Sequence, residues 1–378
     1  MTRSQPNLAF AEIDWDGASE GVEPLATIHP YPARFISLIP DSLLGQFSKP
    51  GMNVLDPFCG SGTTLTSALR AGCSATGIDL HPIACLISRV KTRSYGDDEL
   101  HNIRAHAGMP IASQVVSRDL VSAIPKVDHW FGLEVQQALR DIVLHIELCE
   151  SLNEREALMC ALSRIIVRVS RQESDTRYAA IEKSIAYDDV IAQFRRSVAD
   201  LCSSLFAGRI PAGPEAMILN RDILGIEPSD LRGPFDLVIT SPPYPNAYEY
   251  WLYHKYRMYW LGYDPLFVRE REIGARPHYF KKNHQTAEDF ERQMHHLFGL
   301  LKAVTTPEAP LCFVISDSII HGVTVDNRAL MGRAAAGHGY RLKEATLRRI
   351  PYTRKAFNPR VSPRNSEHVL VFERGVAS

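Results

Sequence analysis

The chain has 378 residues, of which 45% are hydrophobic and 22% are charged, and its formal net charge is −1. This composition predicts a globular protein of one large domain or two ordinary ones. A nearly neutral chain does not attract polyanions globally, so any nucleic-acid surface has to be local. No apolar run approaches the roughly 20 residues that span a bilayer, and the first residues lack an apolar signal core, which predicts a cytoplasmic protein.

Seven cysteines are scattered along the chain without CxxC pairs or Cys/His ligand spacing. This pattern favours small buried side chains in a reducing compartment. We therefore expect neither a disulfide framework nor a metal site.

The first α/β unit is predicted after a polar lead-in of about 20 residues. Residues 53–55 form a short apolar segment that runs into a glycine-rich stretch at 56–64. Apolar residues then follow at helical spacing, and Gly72 stands where that helix would end. Residues 75–79 have the pattern of a second strand that ends in a carboxylate, which predicts a βαβ unit with parallel strands.

Residues 95–212 have a different pattern, with few strand signals. Two segments place apolar residues at helical spacing, namely Val135, Leu139, Ile142, Val143 and Ile146, and Leu158, Leu162, Ile165, Ile166 and Val169. This periodicity predicts a mostly helical insertion.

Strand patterns return at residues 216–219, 236–239, 311–315 and 368–372, mostly with helical segments between them. We therefore predict an α/β fold with a doubly wound, Rossmann-like sheet. Residues 1–94 and 213–378 would form the two parts of this domain on either side of the insertion.

The glycine-rich stretch predicts a ligand site after the first strand. Gly60 and Gly62 allow the backbone to turn sharply and to approach a ligand closely. Asp79 lies 23 residues after Asp56, about where dinucleotide-binding folds place an acid on ribose hydroxyls. No Lys follows the second glycine, so the stretch is not a phosphate-binding P-loop, and it lacks the third glycine of the dinucleotide fingerprint.

Four segments resemble motifs of the amino-methylating DNA methyltransferase family. Residues 56–64 (Asp-Pro-Phe-Cys-Gly-Ser-Gly-Thr-Thr) are similar to motif I, 29–35 (His-Pro-Tyr-Pro-Ala-Arg-Phe) to motif X, 77–80 to motif II and 220–223 to motif III. The resemblance implies a seven-stranded, mostly parallel sheet and S-adenosylmethionine as cofactor. The residues that it implies for cofactor binding are His29, Tyr31, Pro32, Arg34, Phe35, Asp56, Phe58, Gly60, Ser61, Gly62, Thr63, Thr64, Asp79, Leu80, Asp222 and Ile223.

The same resemblance implies roles for these residues. Motif X would close over the methionine end of the cofactor, Phe58 would pack on it, and the two glycines would line it. Asp79 would bind the ribose, and Asp222 with Ile223 would flank the adenine. An alternative for Asp222 is an ordinary strand-end or N-cap carboxylate.

Ser241-Pro242-Pro243-Tyr244 follows the strand pattern at 236–239, whose last three residues are apolar, which indicates a buried strand that ends in a rigid turn. Two prolines fix φ and remove two backbone donors, so carbonyl groups can face a pocket without local partners. An exocyclic base nitrogen needs acceptors for its two hydrogens before its lone pair can attack a methyl group. Ser241 Oγ and the Pro242 carbonyl are the candidate acceptors, and Tyr244 offers a flat face for an extruded base. The alternative is a structural Pro-Pro turn.

The serine of this tetrapeptide makes it similar to cytosine-N4 methyltransferases, whereas Asp or Asn at that position is typical of adenine-N6 and guanine-N2 enzymes. No cysteine follows a proline, which argues against cytosine-C5 chemistry. The resemblance covers residues 25–92 and 216–373. We predict a cytosine-N4 DNA methyltransferase, with adenine-N6 as the main alternative.

Two other interpretations stay open. Guanine-N2 tRNA enzymes share a similar motif I, but they usually carry an RNA-binding domain before it, and about 50 residues precede Asp56 here. The last alternative is a non-catalytic binding protein on a methylase scaffold.

Double-stranded DNA is the predicted partner, together with a cognate restriction or defence protein. Asn246 and Tyr248 adjoin the catalytic turn and are candidate base contacts, although helix packing is the alternative for this aromatic stretch. Residues 341–364 hold eight basic residues against one acid and are predicted to form a basic loop. The candidate phosphate contacts there are Arg348, Arg349, Arg354, Lys355, Arg360 and Arg364.

A second basic group lies in the insertion, where many enzymes of this family place target recognition. Its members are Arg164, Arg168, Arg171 and Arg177, of which the first three share one helix face. A solvated helix face is the alternative.

Overall fold

A central sheet is flanked by helices on both faces. The computed structural model describes residues 10, 13–16, 23–33, 35–111, 121–175, 177–245, 248–280, 284–349 and 366–375. Within these ranges the strands are β1 (Asn53–Asp56), β2 (Ser74–Asp79), β3 (Gln172–Ser174), β4 (Arg177–Ala180), β5 (Ala216–Asn220), β6 (Leu237–Thr240), β7 (Leu311–Ile315), β8 (Ser318–Ile320), β9 (Val323–Val325), β10 (Tyr340–Arg349) and β11 (Ser366–Arg374). The helices are α1 (Leu38–Phe47), α2 (Thr63–Arg70), α3 (Pro82–Thr92), α4 (Asp97–Gly108), α5 (Val127–Trp130), α6 (Leu133–Glu147), α7 (Leu152–Val169), α8 (Tyr187–Ala207), α9 (Tyr250–Tyr253), α10 (Lys255–Trp260), α11 (Pro265–Arg271), α12 (Arg276–Phe280), α13 (Ala287–Val304) and α14 (Asn327–Ala336). Short 3₁₀ helices occupy Pro24–Thr27, Ile223–Gly225 and Pro228–Asp230.

The main sheet has seven strands in the order β10-β11-β7-β6-β1-β2-β5. Strands β5, β2, β1, β6 and β7 pair in parallel, whereas β11 runs antiparallel to both of its neighbours. The predicted doubly wound, mostly parallel α/β fold is confirmed. Strands β6 and β7 are buried at every residue, as expected for parallel strands covered on both faces.

The two faces of the sheet belong to separate apolar clusters. Leu55 and Phe313 pack with helices α13 and α14 on one face. Their sequence neighbours Val54 and Val314 pack with α1 and α2 on the other. This alternation follows from the two-residue period of a strand and fixes its register.

Six of the seven strands of this sheet coincide with the predicted apolar segments, and β10 was not predicted. Its exposed residues alternate with partly buried ones, and it forms an edge of the sheet. The prediction of a loop over 341–364 is therefore wrong for residues 341–349, which lie in β10. Residues 350–365 lie outside the described residues.

The insertion is mostly helical, as predicted, and helices α6 and α7 contain the two periodic segments. A two-stranded hairpin of β3 and β4 was not predicted, because all four β4 residues are exposed and carry no apolar run. Helix α7 packs against α3 and α10 as well as α8. Leu158 and Leu162 of α7 therefore share one core cluster with Ile83 of α3 and Trp260 of α10.

All seven cysteines are free and buried, as predicted for small apolar side chains. Among the residues described here, no helix is both long enough and apolar enough to cross a membrane.

Candidate active site

The candidate site lies where the strand order reverses. From β1 the chain continues through β2 to β5 on one side, and from β6 it continues through β7 to the opposite edge. The loops after β1 and β6 therefore leave neighbouring parallel strands and diverge, which opens the crevice where doubly wound proteins bind ligands. Motif I follows β1 and the predicted catalytic turn follows β6.

A buried hydrogen bond joins these two strand ends. The Thr240 hydroxyl donates to Asp56 Oδ1 over 2.6 Å, and the same oxygen accepts from the Phe58 N–H at 3.1 Å. Burial raises the pKa of Asp56 to about 6, although the bond from Thr240 acts in the opposite direction. Asp56 is therefore a structural link rather than an exposed ligand contact, since only 2% of the residue is exposed.

The loop after β1 uses its glycines as predicted. Gly60 and Gly62 have φ values of 49° and 78°, in the left-handed region that favours glycine. A Cβ on Gly62 would lie 2.7 Å from Ser88 Oγ and 3.1 Å from its Cα. Phe58 and Gly60 are partly exposed at the crevice, whereas Ser61, Thr63 and Thr64 are buried around the start of α2.

Asp79, at the carboxyl end of β2, is bound to this loop. Its Oδ2 accepts from the Gly60 N–H at 2.8 Å, and its Oδ1 accepts from the His81 N–H at 2.8 Å. Burial raises the pKa of Asp79 to about 6, against the lowering effect of these two donors. The carboxylate is half-buried and fixed in direction, as a ribose-binding acid has to be. Leu80 beside it is half-buried as well.

The motif III segment lies next to Asp79, because β5 pairs with β2 and aligns Asn220 with Asp79. The Asn220 side chain donates to the backbone oxygen atoms of Asp79 and Leu80 at 3.0 and 2.9 Å. Asp222 Oδ1 accepts from the Leu224 N–H at 3.0 Å, so it does cap a 3₁₀ helix. The Asp222 side chain is half-buried. The next residue, Ile223, belongs to the core cluster against which Phe58 packs.

Motif X covers the glycine loop through one aromatic ring. The Tyr31 ring lies 3.5 Å from the position of a Cβ on Gly60. His29 is in the interior, with Nε2 2.9 Å from Ser163 Oγ and Nδ1 2.7 Å from the Pro30 carbonyl oxygen. Burial lowers the pKa of His29 well below its usual range, so the ring is neutral and supports the loop from behind.

The other motif X residues are spread around the loop. Pro32 and Phe35 are partly exposed, and Phe35 packs against the core face formed with α1 and α2. Arg34 lies outside the described residues.

The predicted catalytic turn begins directly after β6. Ser241 Oγ lies 3.3 Å from the Tyr244 hydroxyl oxygen. That hydroxyl donates to the Val314 carbonyl at 3.3 Å or to Glu367 Oε1 at 3.4 Å. A tyrosine hydroxyl has one proton, so when that proton points to Val314 or Glu367, Ser241 is the donor to Tyr244 and the serine oxygen keeps its lone pairs for an amino group.

Glu367 is in turn held by Arg348, which was predicted to contact DNA phosphate. Arg348 is 7% exposed, donates to Glu367 Oε2 at 2.9 Å and donates to the Trp15 carbonyl at 2.9 Å. Burial raises the pKa of Glu367 while the guanidinium lowers it. Because both nitrogen contacts point inwards, we leave Arg348 out of the DNA surface.

The other residues of the basic segment are either paired, exposed or outside the described residues. Arg341 and Lys343 pair with Glu373 across β10 and β11, at 2.5 and 2.9 Å. Arg349 is exposed, and its backbone N–H donates to Asp16 Oδ1 at 2.5 Å. The remaining predicted phosphate contacts lie outside the described residues, namely Arg354, Lys355, Arg360 and Arg364.

Near the turn, Tyr248 is half-buried and its ring centroid lies 5.8 Å from that of Tyr250, while Asn246 is outside the described residues.

In the insertion, Arg164 pairs with Asp200 at 3.4 Å. Arg168 is exposed, and Arg171 donates to the Asp128 carbonyl at 2.7 Å. Arg177 pairs with Glu173 at 2.8 Å.

Sequence reasoning did not identify three residues near the turn. Glu272 binds two N–H groups at the start of α9, and Gly274 lies against the backbone of Pro243 and Tyr244. Asp317 follows β7, and its Oδ1 is buried with no hydrogen-bond partner among the described residues. A glycine and two acids distant in sequence carry no local signal, because their roles depend on long-range approach.

Several known proteins are similar in sequence to parts of this chain. The family model described as DNA methylase matches residues 14–89. The type II methyltransferase M.MjaII of Methanocaldococcus jannaschii is 36% identical over 98 residues, which is 24% of this chain and 18% of that protein. M.AvaI of Nostoc sp. is 26% identical over 269 residues, which is 64% of this chain and 54% of that protein. M.MvaI of Kocuria varians is 26% identical over 239 residues, 58% of this chain and 53% of that protein.

Among solved structures, TrmN from Thermus thermophilus aligns over 93% of this chain and 52% of its own, with 11% identity. The TM-score of this alignment is 0.36.

The sheet order and the crevice between β1 and β6 define an α/β protein of the methyltransferase fold class. The sequence matches show that the chain is similar to the amino-methylating, N6/N4 family of DNA methyltransferases, and they support its place in that family. It spans about half of the length of M.AvaI and M.MvaI, at 54% and 53%.

S-adenosylmethionine is the cofactor of this family, and the residues present fit it. Two glycines in left-handed conformations leave a cradle beside Tyr31 that side chains would obstruct. Two backbone N–H groups orient the Asp79 carboxyl group, which would accept from the ribose hydroxyls. The cofactor carries no phosphate, which agrees with a glycine loop that has no P-loop lysine.

Proposed function

We propose that the protein transfers a methyl group from S-adenosylmethionine to the N4 amino group of cytosine in a specific DNA sequence. The observation that carries this proposal is the Thr240–Asp56 hydrogen bond, which couples the acceptor-rich turn 241–244 to the cofactor loop across the switch point. A serine at the first position of the turn favours cytosine-N4 over adenine-N6.

S-adenosylmethionine supplies an electrophilic methyl group on a sulfonium. Asp79 would bind its ribose, Asp222 with Ile223 would flank its adenine, and Phe58 would pack on it. Ser241 Oγ accepts one amino hydrogen of the flipped base, and the Pro242 carbonyl accepts the other. This pulls the nitrogen towards tetrahedral geometry and frees its lone pair. Holding the reacting atoms at about 3–3.5 Å contributes several kcal/mol to the lowering of the barrier.

The Tyr244 hydroxyl fixes the direction of the serine proton. Its own proton points to Val314 or Glu367, so it accepts from Ser241 and keeps the serine oxygen an acceptor towards the base. The ring of Tyr244 stacks on the extruded base. No covalent enzyme intermediate is needed.

Double-stranded DNA is the proposed substrate, and Arg349, Arg354, Lys355, Arg360 and Arg364 the proposed phosphate contacts. A restriction or defence protein as partner, and a cytoplasmic location, stay predictions.

The test is transfer of a labelled methyl group to DNA and to RNA, followed by mass spectrometry of the nucleosides. We expect N4-methylcytosine from DNA, none from Ser241→Ala, and a reduced amount from Pro242→Ala, which keeps the carbonyl but loosens the turn. Ser203→Ala on the exposed face of α8 is the matched control and should be fully active. N6-methyladenine would replace the base assignment, label in RNA alone would overturn the substrate, and label that survives Ser241→Ala would remove the role of that serine.

A further inference from the structure

A short segment after α11, residues 272–275, lies directly under the catalytic turn. We call it the strap. Glu272 and Ile273 are each 7% exposed, and Ala275 is fully buried. The strap is therefore part of the interior, although helix α11 before it is a surface helix whose Phe267 is 47% exposed.

Gly274 makes the closest contact between the strap and the turn. Its φ is 76°, and a Cβ placed on it would lie 2.5 Å from the Tyr244 carbonyl oxygen and 3.0 Å from the Tyr244 carbonyl carbon. The Pro243 carbonyl carbon would be 3.5 Å away. These neighbours are backbone atoms, so no side-chain rotation can relieve the overlap. Either the strap or the turn would have to move.

Glu272 holds the chain that leaves the turn. Its Oε1 accepts from the Tyr250 N–H at 2.7 Å, and its Oε2 accepts from the Trp251 N–H at 2.9 Å. Burial raises the pKa of Glu272 to about 8, although these donors lower it. The two N–H donors thus fix the position of the Glu272 carboxyl group, although its burial disfavours the charged form.

Tyr250 extends this contact to the cofactor loop. Its ring stacks on Tyr31 with centroids 5.8 Å apart and planes at 24°. Tyr31 in turn lies on Gly60. The strap therefore touches the catalytic turn through Gly274 and reaches the cofactor loop through Glu272, Tyr250 and Tyr31.

We propose that Gly274 and Glu272 are positioning residues for methyl transfer, which set the catalytic turn and the cofactor loop at their working separation. The inference rests on the proposed function, because it assumes that the turn binds the amino group to be methylated. Displacement of the turn by about 1 Å is enough to lower a transfer rate by about 100-fold.

Gly274→Ala tests the steric contact, and Gly339→Ala is its matched control. Gly339 has a φ of 80° and no atom within 4 Å of an added Cβ, so it shares the backbone strain without the overlap. We expect Gly274→Ala to lower kcat at saturating DNA and cofactor by about 10- to 100-fold. The Kd for S-adenosylmethionine by calorimetry should stay within about threefold. Gly339→Ala should lower the melting temperature similarly and keep kcat.

Glu272→Gln and Glu272→Ala test the second contact and cover the case in which Gly274→Ala fails to fold. Glutamine retains one acceptor oxygen, so it should weaken cofactor binding and kcat less than alanine does. Glu270→Gln, on an exposed side chain two residues earlier, should leave both unchanged. Equal kcat and Kd in the wild type and in all folded strap variants would overturn the inference. A wild type without methyl transfer would instead defeat the proposed function.

Discussion

Thr240→Val removes the hydroxyl that joins the end of β6 to the end of β1, where the glycine loop begins. The hydrogen bond is 2.6 Å long, and Thr240 and Asp56 are 0% and 2% exposed. Valine has the same shape, so the change leaves no cavity but deprives Asp56 of its stronger donor. A hydrogen bond to a charged group contributes about 1.5–3 kcal/mol to stability, and one between neutral groups about 0.5–1.5 kcal/mol.

The loss should depend on pH, because burial raises the pKa of Asp56 to about 6 from its usual value of 3.8. The folded state therefore binds the Asp56 proton more tightly than the unfolded state does. The contribution of Asp56 to stability is fully present below the unfolded pKa and is lost as the pH rises through 6. Above that pH the acid is ionised and depends most on Thr240.

We therefore expect Thr240→Val to lower the free energy of unfolding by about 1.5–3 kcal/mol at about pH 8, and by about 0.5–1.5 kcal/mol at about pH 5. Urea unfolding of the wild type, Thr240→Val and Thr240→Ser measures this. Serine keeps the hydroxyl and should restore most of the loss at the higher pH. The reasoning is refuted by a destabilisation that is the same at both pH values, or by a serine variant no better than valine.

Three further predictions concern the cofactor, the core and the DNA surface. Asp79→Asn should weaken S-adenosylmethionine binding about tenfold. The affinity of the wild type for the cofactor, measured by calorimetry, should fall as the pH drops through about 6, the raised pKa of Asp79. An affinity that does not depend on pH would contradict this. Arg348→Met leaves the partly buried Glu367 without its guanidinium partner, so urea unfolding should show a loss of about 3 kcal/mol. The control is Arg341→Met, which removes an exposed ion pair and should lower the free energy of unfolding by at most about 1 kcal/mol. Equal losses in the two variants would refute the distinction. Charge reversal of Arg354 and Lys355 should weaken DNA binding and lower the salt slope by about 2, and an unchanged salt titration would remove both from the interface.

The positions of the sheet and its loops could be predicted because they depend on local patterns. Residues 237–239 are apolar without interruption, as a buried parallel strand requires, and the glycines at 60 and 62 mark a backbone conformation that other residues avoid. Strand β10 was missed because an edge strand is polar on one face and its alternation is interrupted by a bulge.

The roles of some side chains depend on contacts that the sequence does not reveal. Arg348 has the composition of a surface cation, and only the approach of Glu367 and the Trp15 carbonyl shows that it is interior. Gly274 resembles any loop glycine until the backbone of Tyr244 is found beside it. Such contacts join residues far apart in the chain, so neither propensity nor periodicity records them.

The apolar cluster that joins α7 to α3 and α10 has a consequence for engineering this protein. Residues 95–212 are contiguous in sequence and look like a cassette, but Leu162 on one side and Ile83 and Trp260 on the other bury each other. A chimera that exchanged the segment alone would expose both halves of that surface. Exchange of this segment therefore requires α3 and α10 to be redesigned with it, and residues 95–212 cannot be transferred as an independent module.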